Sequence, residues 1–404
     1  MKDILGVPAI QLGAKVYVRP VILLLSATFI LTVARALALP YLVVYFSQVF
    51  GLGVSDIGVA IGGSLIVSSI LGVYGGHLVD RFSNYWILIG AGIVFALAFA
   101  VAFQVTSLVP FIIAIVVVNL SYAVIDIAVK SGIGFLVAPD KRAGVFSIKY
   151  TLTNVGYAIG PFLGMLVAKI SPGLPFAVSA SIGLAFVVFY GVLGGRLSCS
   201  SGDERSGLRF SSVLVQLLSN YRLVCFTVGG VFSAVVFGQF TAYLSQYLIV
   251  TSDPENTYLI VNYLVTTNAC VVIGLQYLIG SRIYQKNMFR MLILGMLFFL
   301  VGLMGFCYAQ TPVVWVLAMI IFTVGEIIII PAEYLFIDYI APEDMRGVYY
   351  GAQNLSNLGA ALGPVLCGIA LSFYAPQVMF YLLSLCIVLA SFFYFMGSRC
   401  RGDR

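Results

Sequence analysis

Apolar runs of about 20 residues, separated by short polar breaks, follow one another along almost the whole chain. A helix rises about 1.5 Å per residue, so each run can cross a hydrocarbon layer roughly 30 Å thick. The pattern predicts twelve spans, at about 20–46, 54–79, 85–105, 109–136, 144–168, 175–195, 222–249, 257–280, 289–309, 312–338, 347–373 and 377–397. An all-α polytopic membrane protein is expected. Span 1 mimics a secretory signal, because Ala34 to Pro40 supplies small residues after an apolar run. That run continues through Tyr41 to Phe50, too long for such a signal, and cleavage would break a pattern of six and six.

A second pattern lies over the first. Ala138, Pro139, Asp140, Gly144, Val145 and Phe146 recur 203 residues later as Ala341, Pro342, Glu343, Gly347, Val348 and Tyr349. Asn154, Gly156, Gly160 and Pro161 return as Asn357, Gly359, Gly363 and Pro364, while Gly164 finds its counterpart one place late, at Gly368. A repeat of half the chain length predicts two similar halves, 1–195 and 222–404, joined by a linker over 196–221. In lipid, Gly-x-x-x-Gly-Pro reads as a close helix contact near a bend. Two ordinary helices that happen to carry Gly and Pro are the alternative.

Composition supports the membrane assignment, with 61% hydrophobic and 9% charged residues. All but four of the 21 Lys and Arg fall on one side if the N-terminus is inside; Arg35, Lys130 and Lys149 lie within spans and Lys169 lies outside. Basic loops stay in the cytoplasm, so both termini are expected there. The net charge of +6 follows from this bias and gives no reason for a nucleic-acid partner. Seven scattered cysteines form neither a disulfide framework nor a metal site.

Six charges lie within spans: Arg35 in span 1, Asp126 and Lys130 in span 4, Lys149 in span 5, and Glu326 and Glu333 in span 10. Such residues are costly in lipid and usually mark pathways, although satisfied structural ion pairs are the alternative. Asp126 and Lys130, four apart, share a helix face and can neutralise each other; Glu326 and Glu333, seven apart, share another. Glu326 falls near mid-membrane, where a carboxylate suits the role of principal proton carrier. Arg35 is expected at similar depth, as its partner or as an anion site for substrate. Lys130 plus 203 is Glu333, so the repeat suggests a salt bridge between the halves that closes a cytoplasmic gate. Pairing of Lys130 with Asp126 is the alternative. Span 7 carries Gln239, Thr241, Tyr243, Ser245 and Gln246, which fit either a cavity wall or ordinary bonding between helices.

An enzyme would need a nucleophile, metal or cofactor constellation. The single histidine is His77, and no zinc, nucleophile-elbow or phosphate-loop motif is present, so no enzyme activity, metal or cofactor is expected. A scaffold would not need six charges in lipid.

Gly76, Asp80 and Arg81 resemble the loop signature between helices 2 and 3 of the major facilitator superfamily, G-x-x-x-D-[RK]-x-G-x-[RK]-[RK]. Ser83, Asn84 and Tyr85 depart from it, which weakens the charge relay that the motif implies. The second half keeps only Gly280-Ser-Arg282. Gly156, Gly160, Pro161 and Gly164 are similar to the helix 5 signature of antiporters in that superfamily. Phe322 to Glu326, Pro331 to Tyr334 and Ile340 to Pro364 look like the YdeE- and MdtH-like exporters of its drug:proton antiporter group, as does Arg35 to Pro40. Asn119 stands near the place of the basic helix 4 motif in many such antiporters, so their helix 4 coupling scheme is not implied.

The resemblance implies a fold in which helices 1, 4, 7 and 10 line a central cavity. Spans 1, 4 and 10 hold five of the six buried charges, found independently. It further implies a monomeric secondary transporter in a bacterial cytoplasmic (inner) membrane, exporting small amphiphilic molecules, drugs or amino-acid- or peptide-like compounds in exchange for protons by alternating access. Proton-coupled uptake of a small nutrient is the alternative.

Overall fold

The computed structural model describes residues 11–12, 15–16, 18–194 and 209–399. The first half of the expected linker, 196–208, with Ser198 to Ser201, Asp203, Glu204 and Arg205, lies outside the described residues. A two-residue antiparallel ladder, Gln11–Leu12 on Lys15–Val16, precedes the helices. The first set is α1 (Val18–Ala38), α2 (Leu42–Phe50), α3 (Val54–Arg81), α4 (Asn84–Gln104), α5 (Leu108–Leu136), α6 (Arg142–Ala168) and α7 (Leu174–Gly194). The second set is α8 (Phe210–Ser219), α9 (Tyr221–Phe237), α10 (Phe240–Thr251), α11 (Pro254–Gly280), α12 (Met288–Cys307), α13 (Pro312–Ile340), α14 (Arg346–Gln353), α15 (Asn357–Phe373) and α16 (Val378–Arg399).

Among the described residues eleven stretches are long and apolar enough to cross a membrane, and a twelfth qualifies when α8 and α9, bent by 81°, are taken together. The seventh predicted span corresponds to α9 continued by α10. Spans 1, 7 and 11 are interrupted for local reasons. Pro40 has no N–H to give to a helix, and Leu39–Tyr41 forms a 3-10 turn between α1 and α2. Gly238 lies against Ala360, which leaves no room for a side chain, and the chain breaks there between α9 and α10. Asn354–Ser356 forms a second 3-10 turn between α14 and α15.

Among the first helices α1 packs along α6 and α7, and α5 along α3 and α4; among the last, α9 packs along α15 and α16, and α13 along α11 and α12. The two sets meet where α3 lies against α14 and α6 against α11. These two contacts exchange under the repeat, since α3 corresponds to α11 and α6 to α14–α15. Both lie at the end of the bundle that carries Arg81, Lys141, Arg142, Arg282 and Arg346, here called the basic end. At that end α8 also returns to the bundle: Phe210 rests on Tyr74 and His77 of α3, with ring centroids 5.1 and 5.5 Å away. The single histidine is thereby a packing residue.

Helix α13 is apolar nearly all round, as a buried helix must be, and Ile327 to Ala332 are all buried. The three acids on that helix, Glu326, Glu333 and Asp338, therefore sit within the core.

Candidate functional site: a polar track through the bundle

Thr32 and Arg35 on α1 face Asn119 and Tyr122 on α5, each pair being three residues apart and so on one helix face. Arg35 donates to Asn119 Oδ1 from Nη2 at 2.9 Å and from Nε at 3.3 Å, and to the Tyr157 hydroxyl from Nη1 at 2.5 Å. Its guanidinium stands 4.7 Å from the centroid of the Tyr122 ring. Thr32 Oγ1 and the Tyr122 hydroxyl are 2.8 Å apart, and Asn119 Nδ2 donates to Ser64 at 3.3 Å. Asn119 is thus the principal acceptor for a base on another helix.

Two turns further along α5, Asp126 is bracketed by two lysines, Lys130 Nζ at 2.8 Å and Lys149 Nζ at 2.5 Å. Both lysines are buried, so the pairing removes most of the cost of placing them there. The triad retains one net positive charge. Tyr334 of α13 covers it, with its ring centroid 4.2 Å from Lys130 Nζ and 5.6 Å from Lys149 Nζ.

The acids of α13 meet a different environment. Glu326 accepts from the Tyr150 hydroxyl of α6 and from Asn268 Nδ2 of α11, the latter at 2.7 Å; Asn268 also reaches Thr323 Oγ1 at 3.2 Å. Glu333 accepts from the Tyr394 hydroxyl of α16. Both are buried, and among the described residues neither has a basic residue within ion-pair distance.

Two expectations change. The salt bridge between Lys130 and Glu333 is absent, because Asp126, one turn away on the same helix, already occupies Lys130. The contact between the sets at this level is instead Lys130 with Tyr334, the residue after Glu333, rotated about 100° around the helix. Nor is Arg35 paired with Glu326 in this conformation, since each is satisfied by a tyrosine of α6, Tyr157 and Tyr150.

Span 7 supplies less to the track than its polar residues suggest. Ser245 donates to Thr241 O at 2.6 Å and Tyr243 to Val236 O at 2.7 Å, which are bonds within the span. Gln239 is exposed at the break before α10, and Gln246 Oε1 is buried without a partner.

The basic end is held by charges and backbone. Asp80 accepts from Gly347 N at 2.6 Å and Val348 N at 2.8 Å, at the N-terminus of α14, where a negative charge is favoured. Gly76 permits this approach, since a side chain there would collide with the Gly347 backbone. Arg81 is exposed. Asp338, buried at the end of α13, binds Arg142 at 2.5 Å and Arg346 at 3.5 Å. Sequence reasoning passed over Asp338 as the last residue of its span, although Arg142 and Arg346 both follow the repeated Ala-Pro-Asp/Glu loop.

The Gly-Pro helices make close contacts, each within its own set. Gly156, Gly160 and Gly164 of α6 lie on Thr32, Ala36 and Leu37 of α1, and a Cβ on Gly160 would stand 2.5 Å from that of Ala36. Gly359 and Gly363 of α15 lie in the same way on Val231 and Val235 of α9. Pro161 and Pro364 are inside these helices, and the Pro161 carbonyl accepts from Tyr41 at 2.9 Å.

A model of the Major Facilitator Superfamily matches residues 24–364. The chain belongs to the major facilitator superfamily. It is 31% identical over 379 residues to the MFS-type transporter YdeE of Escherichia coli, covering 94% of this chain and 95% of that one. It is 24% identical over 233 residues to the quinolone resistance protein NorA of Staphylococcus aureus, covering 56% and 57%. The solved structure of FucP, an MFS transporter in the outward conformation, shares the fold with a TM-score of 0.72 at 15% identity, over 95% of this chain and all of that one. The protein is a multi-pass membrane transporter of a small-molecule substrate. Its family, rather than any missing motif, makes it no enzyme.

Proposed function

We propose that the chain is a proton-coupled antiporter that exports small amphiphilic molecules, drugs or amino-acid- or peptide-like compounds, across a bacterial cytoplasmic membrane. In this reading a monomer works by alternating access, with both termini cytoplasmic, an orientation that the basic loops support. Its halves, 1–195 and 222–404, rock about the track while the 196–221 linker joins them. The quinolone-resistance name of NorA supports export.

The observation that carries the reading is the contact of Glu326 with Tyr150. An ionised carboxylate buried without a base is costly, so proton and charge at Glu326 depend on which neighbours it keeps. Tyr150 comes from the opposite set of helices, near the end where the two sets meet. Parting the sets at the basic end withdraws that hydroxyl from Glu326 and admits water. The proton held by Glu326 is thereby tied to the opening and closing of the cavity. Arg35, Asp126, Lys130, Lys149, Gln239 and Glu333 complete the pathway for proton and substrate. Asp80 and Arg142 lock the basic end, while Gly156, Gly160, Gly164 and Gly363 provide the contacts about which spans 1, 5, 7 and 11 move.

The experiment is Glu326→Gln in proteoliposomes. Proton-driven flux of a substrate identified by growth-inhibition screening should fall at least tenfold, toward the background, while exchange without a gradient persists. Normal pH-dependent transport by Glu326→Gln would overturn the assignment.

A further inference from the structure

We propose that the substrate site centres on Arg35 and takes organic anions, a carboxylate or sulfonate joined to an aromatic or alkyl body. The proposal rests on the transport reading above and names the chemistry of its cargo.

The charges on the two walls do not cancel locally. Arg35 is bonded only to an amide oxygen and a phenol, and no carboxylate lies within ion-pair distance of it among the described residues. The Asp126 triad adds another net positive charge on the same wall. The acids that could answer these charges, Glu326 and Glu333, are engaged by Tyr150, Asn268 and Tyr394. A guanidinium at mid-membrane depth without a counter-charge is costly, and a bound anion relieves that cost.

Its geometry is already set for that ligand. Of the five N–H groups of a guanidinium, the bonds to Asn119 and Tyr157 use three. One N–H remains on each terminal nitrogen, a fork that matches the two oxygens of a carboxylate. Asn119 and Tyr157 hold the fork from two helices, and Asn119 is held in turn by Ser64. Of these two partners Tyr157 is the exposed one, at 41%. The Tyr122 ring below the guanidinium and the Tyr157 ring beside it offer surface to an apolar body.

Tyr150 and Tyr157, on one stripe of α6 two turns apart, separate the Glu326 and Arg35 sites by roughly 10 Å of helix rise. Anion and proton therefore bind at separate levels of the track. A cationic drug, by contrast, would have to sit against Arg35 or break the Glu326 hydrogen bonds.

The test compares three probes of one shape, 2-naphthoate, its methyl ester and 2-naphthylmethylammonium. Binding to the purified full chain in nanodiscs is measured at neutral pH without a gradient, by displacement of tritiated 2-naphthoate and by thermal unfolding. The carboxylate should bind at least about tenfold more tightly than the ester or the ammonium, and Arg35→Gln should remove that preference. Arg35→Lys, which keeps the charge but not the fork, should retain the preference at reduced affinity, and it supplies the comparison if Arg35→Gln does not survive purification. A carboxylate that binds no better than the other probes, or as well to Arg35→Gln as to the unaltered chain, overturns the proposal. Proton coupling is not read in this assay, so its failure leaves the Glu326 assignment standing, and failure of the Glu326→Gln test leaves this one.

Discussion

Helices α5 and α13 occupy equivalent places in the two repeats, and each is 29 residues long. Each is tied to its neighbour by a side-chain bond across 55 residues: Asn119 to Ser64 in one set, Asn268 to Thr323 in the other. They differ in how they hold charge. On α5 the carboxylate of Asp126 is locked between two lysines, whereas on α13 Glu326 and Glu333 meet only hydroxyl and amide groups. A salt-bridged acid keeps its charge through a cycle, and an acid without a base gains or loses its proton as its surroundings change. At mid-span, under the proposed mechanism, α5 thus holds fixed charge and α13 holds charge that can vary, a division of labour that exact symmetry would forbid; only at its basic end does α13 carry a locked acid, Asp338 between Arg142 and Arg346.

The comparison breaks most visibly at Asp126. Asp126→Asn leaves Lys130 and Lys149 buried without an anion, and removing one partner of a buried pair costs about 3–5 kcal/mol. The yield of folded protein and its unfolding temperature in detergent should fall sharply. Glu326→Gln, a neutral replacement for a group that already lacks a base, should leave both nearly unchanged while removing coupling. Equal stability of the two variants would show that Asp126 is not fixed structural charge.

A smaller effect is expected at the glycines that the repeats share. A Cβ on Gly160 would stand 2.5 Å from the Ala36 Cβ, and one on Gly363 2.5 Å from the Val235 carbonyl oxygen. Overpacking of this kind costs roughly 1–3 kcal/mol. Gly160→Leu and Gly363→Leu should therefore lower both stability and turnover, each by separating a helix from its partner within its own set. A tight, stable carrier with an unchanged rate would show that these contacts yield freely.

Much of this was legible in the chain because lipid imposes strict rules. Span lengths follow from the cost of placing polar groups in hydrocarbon, and the 203-residue repeat is read directly off the chain. What stayed hidden is the set of partners. Tyr122, Tyr150, Tyr157, Tyr334 and Tyr394 satisfy the charges, yet a tyrosine in a membrane helix carries no signal that separates a hydrogen-bond donor from an apolar wall. Offset arithmetic placed Lys130 opposite Glu333, but it cannot give the rotation of a helix, and one residue of rotation brought Tyr334 to the lysine instead. The mirrored bonds of Asn119 and Asn268 could have been found, since both join spans two helices apart at one spacing.

The finest prediction concerns that rotation. Lys130 and Lys149 both lie over the Tyr334 ring, and Phe146 packs on it with centroids 5.7 Å apart, so a single side chain of α13 closes over the triad of the opposite set. A desolvated cation–π contact contributes about 1–2 kcal/mol. If it forms only while the basic end is closed, losing 1 kcal/mol of it shifts the balance between closed and open states about fivefold. Tyr334→Leu should raise the open fraction by that amount, read as spin-label distances across the basic end, while Tyr334→Phe, which keeps the ring, should change little. Should both variants shift the distances equally, the hydroxyl or the packing, rather than the ring face, holds the lysines. Should neither shift them, closure of this end rests on Asp80 and on the Arg142–Asp338 pair alone.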